Sequence, residues 1–597
     1  MVAKVAQASR LPIQAGGLHH LRTEGDNAVD SLPGRCYSRH ANRRRRRRPA
    51  WENRASRCPW TRSKPSARSE RSRSSRGAAR SCRLTGWARF VRMQKEVMTK
   101  PLFPSLPDAI VRDLHRQNPW WRSNPLPPLP AFRRWPFDRA LARLQSPVAP
   151  ILILRGPRQI GKTTLQQQIV AQLLANGVRP NRILRIQFDD LPSLAQIHPN
   201  DEPILRLAEW FENEILGCHL NEAAQRGEPA YLFLDEVQNL AAWDVQLKSL
   251  VDHAAIRALV TTSSALRIER GRDSLAGRIQ TLDVGPLRLS EIAGLRGFGG
   301  LRTAQTENNW EDWLQPDFWH RLRDLGVHQA AVRDVAYAAF SERGAYPVAQ
   351  INPQIPWREI ADQLKETVIN RVIQHDLRVG DRGRRRDREL LEEVFRMSCR
   401  YLGQAPNPAT LAKEIHVTLR TEVGPQRIRQ YIDFLDSSLL IRAIPPLEIR
   451  LRKRKGYPKL CLCDHGLRAA WLQETIPLEP AALDQHPHLT DLAGHVAESV
   501  TGYYLASLTG LDVAHKPEYQ GEPEVDFILT IGEKRIPLEI KYRKVIDPLR
   551  DTLGLRLFIE KAANNAPLGL LITRDDETTV SDPRVVCLPL RSLLLAR

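Results

Sequence analysis

The chain has 597 residues and a formal net charge of +22, a length sufficient for three or four domains. No apolar run reaches the length of a membrane span, no stretch reads as a secretory core, and the eight cysteines are scattered. This excludes a disulfide-built fold and a membrane partner, and fits a reducing, cytoplasmic setting. The charge invites a nucleic-acid reading, but residues 1–92 hold 23 Lys/Arg against 5 Asp/Glu and the remainder 66 against 62. The basic excess therefore belongs to the first segment.

That segment, 1–92, carries the run Arg43 to Arg48 and the Arg/Ser-rich stretch Ser66 to Arg83. It shows no sustained helical or strand period and is expected to be disordered. Three readings compete: a basic nucleic-acid-binding arm, a transit peptide, and untranslated sequence ahead of a start at Met93 or Met98. The third is preferred, because protein-like patterning begins there. Residues 93–136 are rich in Pro and Trp, with Trp120-Trp121 and Pro125 to Pro130. They read as an extended lead-in packed on the next domain, or as a linker.

Residues 137–292 are expected to form a P-loop domain. The apolar strand Ile151 to Leu154 runs into Gly156-Pro157-Arg158-Gln159-Ile160-Gly161-Lys162-Thr163, and a helix starts at Thr164. This is G-x-x-x-x-G-K-[ST] in its strand–loop–helix setting. The glycines let successive N–H groups face phosphate oxygens, Lys162 reaches the β- and γ-phosphates, and the Thr163 hydroxyl ligates Mg²⁺. Tyr231 to Glu236 is an apolar strand ending in two carboxylates, the Walker B pattern. Asp235 is expected to hold the metal shell and Glu236 to polarise the attacking water. Leu184 to Asp190 reads as a strand between these motifs, and the alternation predicts a parallel α/β sheet with ligand at its C-terminal edge. Ala258 to Thr261 is a further strand. Ser263 after it either senses the γ-phosphate or caps a helix. Arg278, before the strand Ile279 to Val284, either stabilises phosphate charge, in cis or from a neighbouring subunit, or is an ordinary ion-pairing arginine.

Residues 293–387 read as a helical lid or connector, with Trp310, Trp313, Phe318 and Trp319 as core anchors. Residues 388–470 read as three short helices and a β-like segment, the pattern of a winged helix. Its third helix exposes Arg427 and Arg429, and the basic run Arg450 to Lys455 lies nearby. Such a unit either contacts DNA or only packs domains together. Cys461 and Cys463 sit in a strand-like run with no second pair to complete a zinc site, so they read as buried structural cysteines.

Residues 490–597 carry a second chemical pattern. Glu524 to Thr530 and Ile536 to Lys541 read as the two strands of a hairpin turning at Gly532. Glu539 and Lys541 then share a face, and simple pairing brings Asp526 to it. Glu498, on the helical stretch Gly494 to Leu505, adds a fourth group. Two or three carboxylates with a lysine can hold Mg²⁺ against a phosphodiester. A charged outer hairpin face is the plain alternative, and Pro537 casts doubt on the returning strand's ladder.

The matching segments are Arg155 to Thr164, Leu234 to Gln238, Ser274 to Arg278, Lys459 to Leu467, and Glu524 to Asp526 with Glu539 to Lys541. On these the body of the chain, roughly 130–597, resembles bacterial and archaeal AAA-type ATPases fused to a C-terminal domain of unknown function. In that family the C-terminal domain combines a winged helix with a restriction-endonuclease-like fold. The resemblance implies nucleotide binding by Gly156 to Thr164, a sensor at Thr261 to Ser264, and an arginine role for Arg278. One departure stands out: Thr262 occupies a place usually held by glycine. The resemblance does not reach residues 1–92.

The expected architecture is α/β: an AAA-type parallel sheet, then a helical and winged-helix region, then an endonuclease-like α/β domain. The expected activity is Mg²⁺-dependent ATP hydrolysis coupled to a DNA-directed, nuclease-like domain. The alternative is an ATP-dependent regulatory or DNA-binding switch whose nuclease-like domain is inactive. DNA and further copies of the chain are the candidate partners.

Overall fold

The computed structural model describes residues 105–197, 201–263, 274–306, 310–375, 387–448 and 456–597. The basic segment 1–92, Met93, Met98, Ser264, Asp273 and the Arg450–Lys455 run lie outside the described residues.

Five strands form the first sheet: β1 (Ile151–Arg155), β2 (Ile183–Gln187), β3 (Ala230–Asp235), β4 (Ile256–Thr262) and β5 (Ile279–Asp283). All pair in parallel, in the order β2-β3-β4-β1-β5. Nearly continuous burial along β1, β3 and β4 follows from cover on both faces, as parallel sheets require.

The lead-in is not extended. Asp108–Gln117 forms a helix, α1, and Pro119–Arg122 a short 3-10 turn. Ile110 and Leu114, one helical turn apart, are buried. The segment closes the β2 edge with side-chain amides: Asn118 donates to Arg185 O and accepts from Arg185 N, and Gln117 accepts from Gln187 N. The indoles of Trp120 and Trp121 both donate to Ile183 O. A second helix, α2 (Pro136–Gln145), leads into β1, and α3 (Lys162–Ala175) follows the phosphate loop.

Beyond β5 come α4 (Leu289–Leu295), α5 (Pro316–His328) and α6 (Ala330–Arg343). Trp313 and Trp319 are fully buried with ring centroids 4.8 Å apart, so these aromatics are core anchors. Next are α7 (Arg388–Arg400), α8 (Pro408–Leu419) and α9 (Pro425–Ser437). Each places apolar residues at helical spacing toward the others; on α9 these are Ile428, Tyr431, Ile432 and Leu435. An antiparallel pair follows, β6 (Ile441–Ile444) and β7 (Lys459–Leu462). Cys461 and Cys463 are buried free thiols.

The last sheet runs β12-β11-β10-β9-β8. It comprises β8 (Asp512–Lys516), β9 (Val525–Ile531), β10 (Lys534–Lys541), β11 (Gly569–Thr573) and β12 (Val585–Pro589). The first three pair antiparallel, the last three parallel. α10 (Thr490–Ala506) precedes β8, and α11 (Leu553–Glu560) follows β10. Gly532, at φ +59°, makes the tight β9–β10 turn.

Pro537 lies inside the central strand β10 without breaking it. Arg535 N–H donates to Asn565 O, away from β9. Pro537 has the same parity, so its missing donor faces β11, whose ladder begins only at Leu538. The pairing with β9 runs unbroken through Pro537, and the doubt raised by the sequence is removed.

One continuous apolar cluster joins a face of the first sheet (Leu152, Leu154), α4, α6, the β6–β7 pair and the last sheet (Phe527, Leu538). The helices of 316–343 pack on the C-terminal sheet: Arg333 binds Asp576 at 3.0 and 2.8 Å and Ser592 at 3.0 Å. Among the described residues no helix is long and apolar enough to cross a membrane.

Candidate functional site

The loop Gly156–Gly161 is shaped by local constraints. Val284 N–H donates to Arg155 O, which brings the backbone after β5 so close that a Cβ at residue 156 would lie 2.1 Å from Val284 O. Only glycine fits there. Gln159 and Gly161 adopt positive φ, +60° and +89°, which winds the chain into α3 with its first N–H groups open to an anion. Arg134, unremarked in the sequence, braces the arrangement. It donates to Ile160 O at 2.7 Å and Gly285 O at 3.0 Å, and pairs with the buried Glu291 at 2.9 Å.

The Lys162 ammonium is buried and donates to Gly156 O and Pro157 O at 3.0 and 2.9 Å, with Glu236 3.8 Å away. Thr163 Oγ1 donates to Asp235 Oδ2 at 2.8 Å. A hydroxyl and a carboxylate set side by side are hard oxygen donors of the kind Mg²⁺ takes. Asp235 is fully buried, and burial pushes its carboxyl pKa up. Thr261 Oγ1 donates to the other Asp235 oxygen, and Arg185 lies 3.5 Å from the carboxylate.

Glu236 sits at φ +54°, off the end of β3. Its N–H donates to Thr261 Oγ1 at 3.0 Å, and its carboxylate accepts from Ser263 Oγ at 3.1 Å and from the Gln238 amide. Burial works against its charge, yet Lys162 and Arg158 outweigh burial and hold the pKa below the ordinary value. The expected residues Gly156 to Thr163, Asp235, Glu236 and Ser263 thus converge, and Thr164 follows on the first turn of α3. Gln238, Thr261 and Arg185 join them. The sequence named Thr261 only as one end of a sensor segment and Gln238 only as the last residue of a resembling segment, and no motif marks Arg185.

Arg278 is not brought to this loop. Its carbonyl accepts from Ile151 N–H at the opposite end of β1, a strand length of roughly 15 Å from the phosphate loop. Its guanidinium pairs with Asp252. The cis role is thereby corrected: the arginine belongs to the wrong end of the sheet.

Residues 148–293 match the family described as AAA domain. They form a P-loop ATPase domain of the AAA class. Residues 337–476 match a family described only as a domain of unknown function, DUF8612. The uncharacterized protein MJ1637 of Methanocaldococcus jannaschii is 24% identical over 386 residues, 64% of this chain and 72% of that protein. The uncharacterized protein Rv2008c of Mycobacterium tuberculosis is 23% identical over 414 residues, 67% and 73% of the two chains. Among solved structures, the Walker-type ATPase PABY2304 of Pyrococcus abyssi aligns with TM-score 0.36 and 12% identity, over 58% of this chain and 99% of that one. The Saccharomyces cerevisiae Hsp104–ADP complex aligns with TM-score 0.25 and 15% identity, over 52% and 40%.

Beside the loop of the ATPase domain a cleft of about 890 Å³, mouth included, opens toward the C-terminal part. Gly156, Pro157, Trp135, Leu289 and Tyr504 line it. Across it, Arg155 holds Asp283 through two bonds of 2.8 and 2.7 Å, and Arg442 of β6 approaches the same carboxylate at 3.7 Å.

The C-terminal charged residues gather on one end of the β9–β10 hairpin. The register Leu538↔Phe527 sets Glu539 opposite Asp526, and Asp526 Oδ2 accepts from Ile540 N–H at 2.8 Å. Lys541 Nζ donates to Glu539 at 2.5 Å. Glu498 arrives from α10. Burial and the neighbouring Asp526 raise the pKa of Glu498 to about 7 and of Glu539 to about 8. Burial opposes the Asp526 charge, but Lys459 and Lys541 hold its pKa below the usual range. Asp526, Glu539, Lys541 and Glu498 are therefore together. Two further groups join them: Glu524, with an oxygen within 4.8 Å of those of Glu498 and Asp526, and Lys459 from β7. The sequence shows Lys459 only as the first residue of the resembling segment Lys459 to Leu467, with no chemistry attached to it.

Proposed function

We propose that the chain is an ATP-hydrolysing protein whose nucleotide state is coupled to a C-terminal DNA-directed, nuclease-like domain. The observation that carries the ATPase half is the contact between Thr163 and Asp235 at 2.8 Å beside a Glu236 held by Ser263 and Gln238. Gly156 to Thr164 would cradle the phosphates, and the cleft beside Pro157 and Trp135 would take the base. Thr163 and Asp235 would hold Mg²⁺, which when bound neutralises charge shared between the β- and γ-phosphates. Lys162 would exchange the loop carbonyls for phosphate oxygens. Glu236, kept ionised by Lys162 and Arg158, would orient a water and draw its proton, while Ser263 fixes the carboxylate and reports on the γ-phosphate. Arg278 would reach a phosphate only from a neighbouring copy, so a homo-oligomer is part of this reading.

Glu236→Gln keeps the shape and removes the base. We expect ATP binding to persist and hydrolysis to fall by roughly a hundredfold or more, read by equilibrium binding and steady-state phosphate release. Hydrolysis at the wild-type rate refutes the assignment.

The three helices of 388–437 with the β6–β7 pair read as the winged helix, with Arg427 and Arg429 exposed on α9. The Asp526, Glu539, Lys541 face with Glu498 supports a metal-dependent phosphodiesterase site. DNA cleavage in Mg²⁺ or Mn²⁺ that Asp526→Ala and Lys541→Ala both abolish would support it. A second reading is favoured by Lys459, which stands among these carboxylates: a DNA-binding switch without cleavage. DNA affinity that depends on ATP and falls steeply with salt, with the DNA left intact, would favour that reading.

A further inference from the structure

Lys459 opens β7, a strand held by its own neighbours rather than by the C-terminal sheet. Leu460 exchanges backbone bonds with Gly403 and Gln404, Leu462 N–H donates to Ser499 Oγ, and the strand pairs with β6. From there the side chain runs over the Phe527 ring into the acidic site, with 1% of its surface exposed. Its ammonium is 2.9 Å from Glu524 and 3.2 Å from Asp526, and it also contacts Glu498.

Carboxylate oxygens of those three residues lie within 4.8 Å of one another. Three hard oxygen donors converging on one point are what a divalent cation requires. Here the ammonium donates to Glu498 and Asp526 and lies 2.9 Å from Glu524. Burial opposes its charge, but the three carboxylates outweigh burial and keep the pKa well above the ordinary value, so the group stays a cation. In the same site Glu539 Oε2 is buried with no hydrogen-bond partner, while its other oxygen accepts from Lys541. One carboxylate of the site is thus not served by either lysine in full.

We propose that Lys459 is a built-in cation that occupies the divalent-metal position of the C-terminal acidic site and keeps that site closed to metal. The inference rests on reading the acidic face as a metal site, and adds how its occupancy is controlled. Cleavage chemistry at this face would require the β6–β7 pair to withdraw Lys459. An ordinary structural ion pair predicts something different, namely that removing the lysine leaves uncompensated buried charge and no affinity for metal.

The test is Mn²⁺ binding by the full chain without nucleotide, read by electron paramagnetic resonance. Wild type is set beside Lys459→Met, Lys459→Arg, and Lys459→Met combined with Asp526→Asn. The Asp526→Asn background subtracts any ion held at Thr163 and Asp235. We expect Lys459→Met to gain one Mn²⁺ site, at least about tenfold tighter than anything wild type shows there, and the double variant to lose it. Lys459→Arg, which keeps the charge, should gain none. Thermal melts guard against a folding defect: Lys459→Met should melt lower than wild type in chelator and recover on adding Mn²⁺. Wild type binding Mn²⁺ at an Asp526-dependent site as tightly as Lys459→Met overturns the proposal. So does Lys459→Met with neither an Asp526-dependent ion nor Mn²⁺-dependent recovery. None of these readouts involves ATP hydrolysis or DNA cleavage, so the failure of either functional reading is told apart from the failure of this one.

Discussion

Glu539 shows how far a single residue can be moved by its surroundings. Its carboxyl titrates at about 8 in the fold because it is buried and faces Asp526, with Lys541 compensating only in part. A raised carboxyl pKa means the folded protein holds a proton that the unfolded chain has released above its ordinary value of about 4.5. Between those two pH values the unfolded state binds fewer protons, so the stability contribution of Glu539 falls as pH rises, on the order of 1 kcal/mol per pH unit. Glu539→Gln cannot titrate. The wild-type stability minus that of Glu539→Gln should therefore decline from about pH 5 to about pH 8 and level off above. Denaturant titrations at several pH values check this, and a difference that is flat or rising with pH would show that Glu539 is not buried with Asp526. The hydrogen-bond partner of Glu539, Lys541, was visible from strand alternation alone. The partner of Asp526 from β7 was not, because Lys459 lies 67 residues away in sequence and no local period links a strand of one sheet to the face of another.

At the scale of elements, the lead-in makes the same point. Its Pro and Trp content marks packing but not form, and the helix at Asp108–Gln117 is short. What decides its place is the bare edge of β2, whose N–H and C=O groups must be satisfied. Asn118 does this with one side chain: it donates to Leu114 O and Arg185 O at 2.8 Å each and accepts from Arg185 N at 2.7 Å, fully buried. Asn118→Ala leaves buried backbone groups unpaired and should cost about 2–4 kcal/mol. Chemical denaturation measures the loss, and amide hydrogen exchange should rise along β2 before β3. An unchanged midpoint would mean the edge finds other cover. The strands β1, β3 and β4, by contrast, were readable because each is a largely apolar run bounded by motif or turn, a pattern set by burial on both faces.

Across the molecule, segments that look like separate domains in composition share one apolar cluster. α4 packs on α6, and α6 carries Arg333 and Tyr337 into the C-terminal part, where Tyr337 meets Tyr542 at 2.8 Å. A fragment ending at residue 293 would expose Leu287, Leu289 and Ile292, all buried in the whole. Such a fragment, 105–293, should be insoluble or unfolded where 105–597 is folded, despite containing every ATPase motif. Solubility and circular dichroism of the two decide it; a well-folded fragment would show that the cluster is a contact between independent units. The same packing sets Arg442 within 3.7 Å of the Asp283 that Arg155 holds at the mouth of the phosphate loop, one strand away from Lys459.

The sequence by itself determined the phosphate loop, the strand that ends in Asp235 and Glu236, the parallel sheet, and the Asp526, Glu539 and Lys541 face. These depend on spacing along one strand–loop–helix or one hairpin, where covalent geometry carries the side chains to their places. Only the tertiary structure decided that Arg278 stands at the far end of β1, that Arg134 and Gln238 serve the nucleotide site, and that Lys459 fills the acidic one. Those placements arise from packing between segments distant in the chain, where burial and charge compensation choose the partner and local periodicity carries no signal.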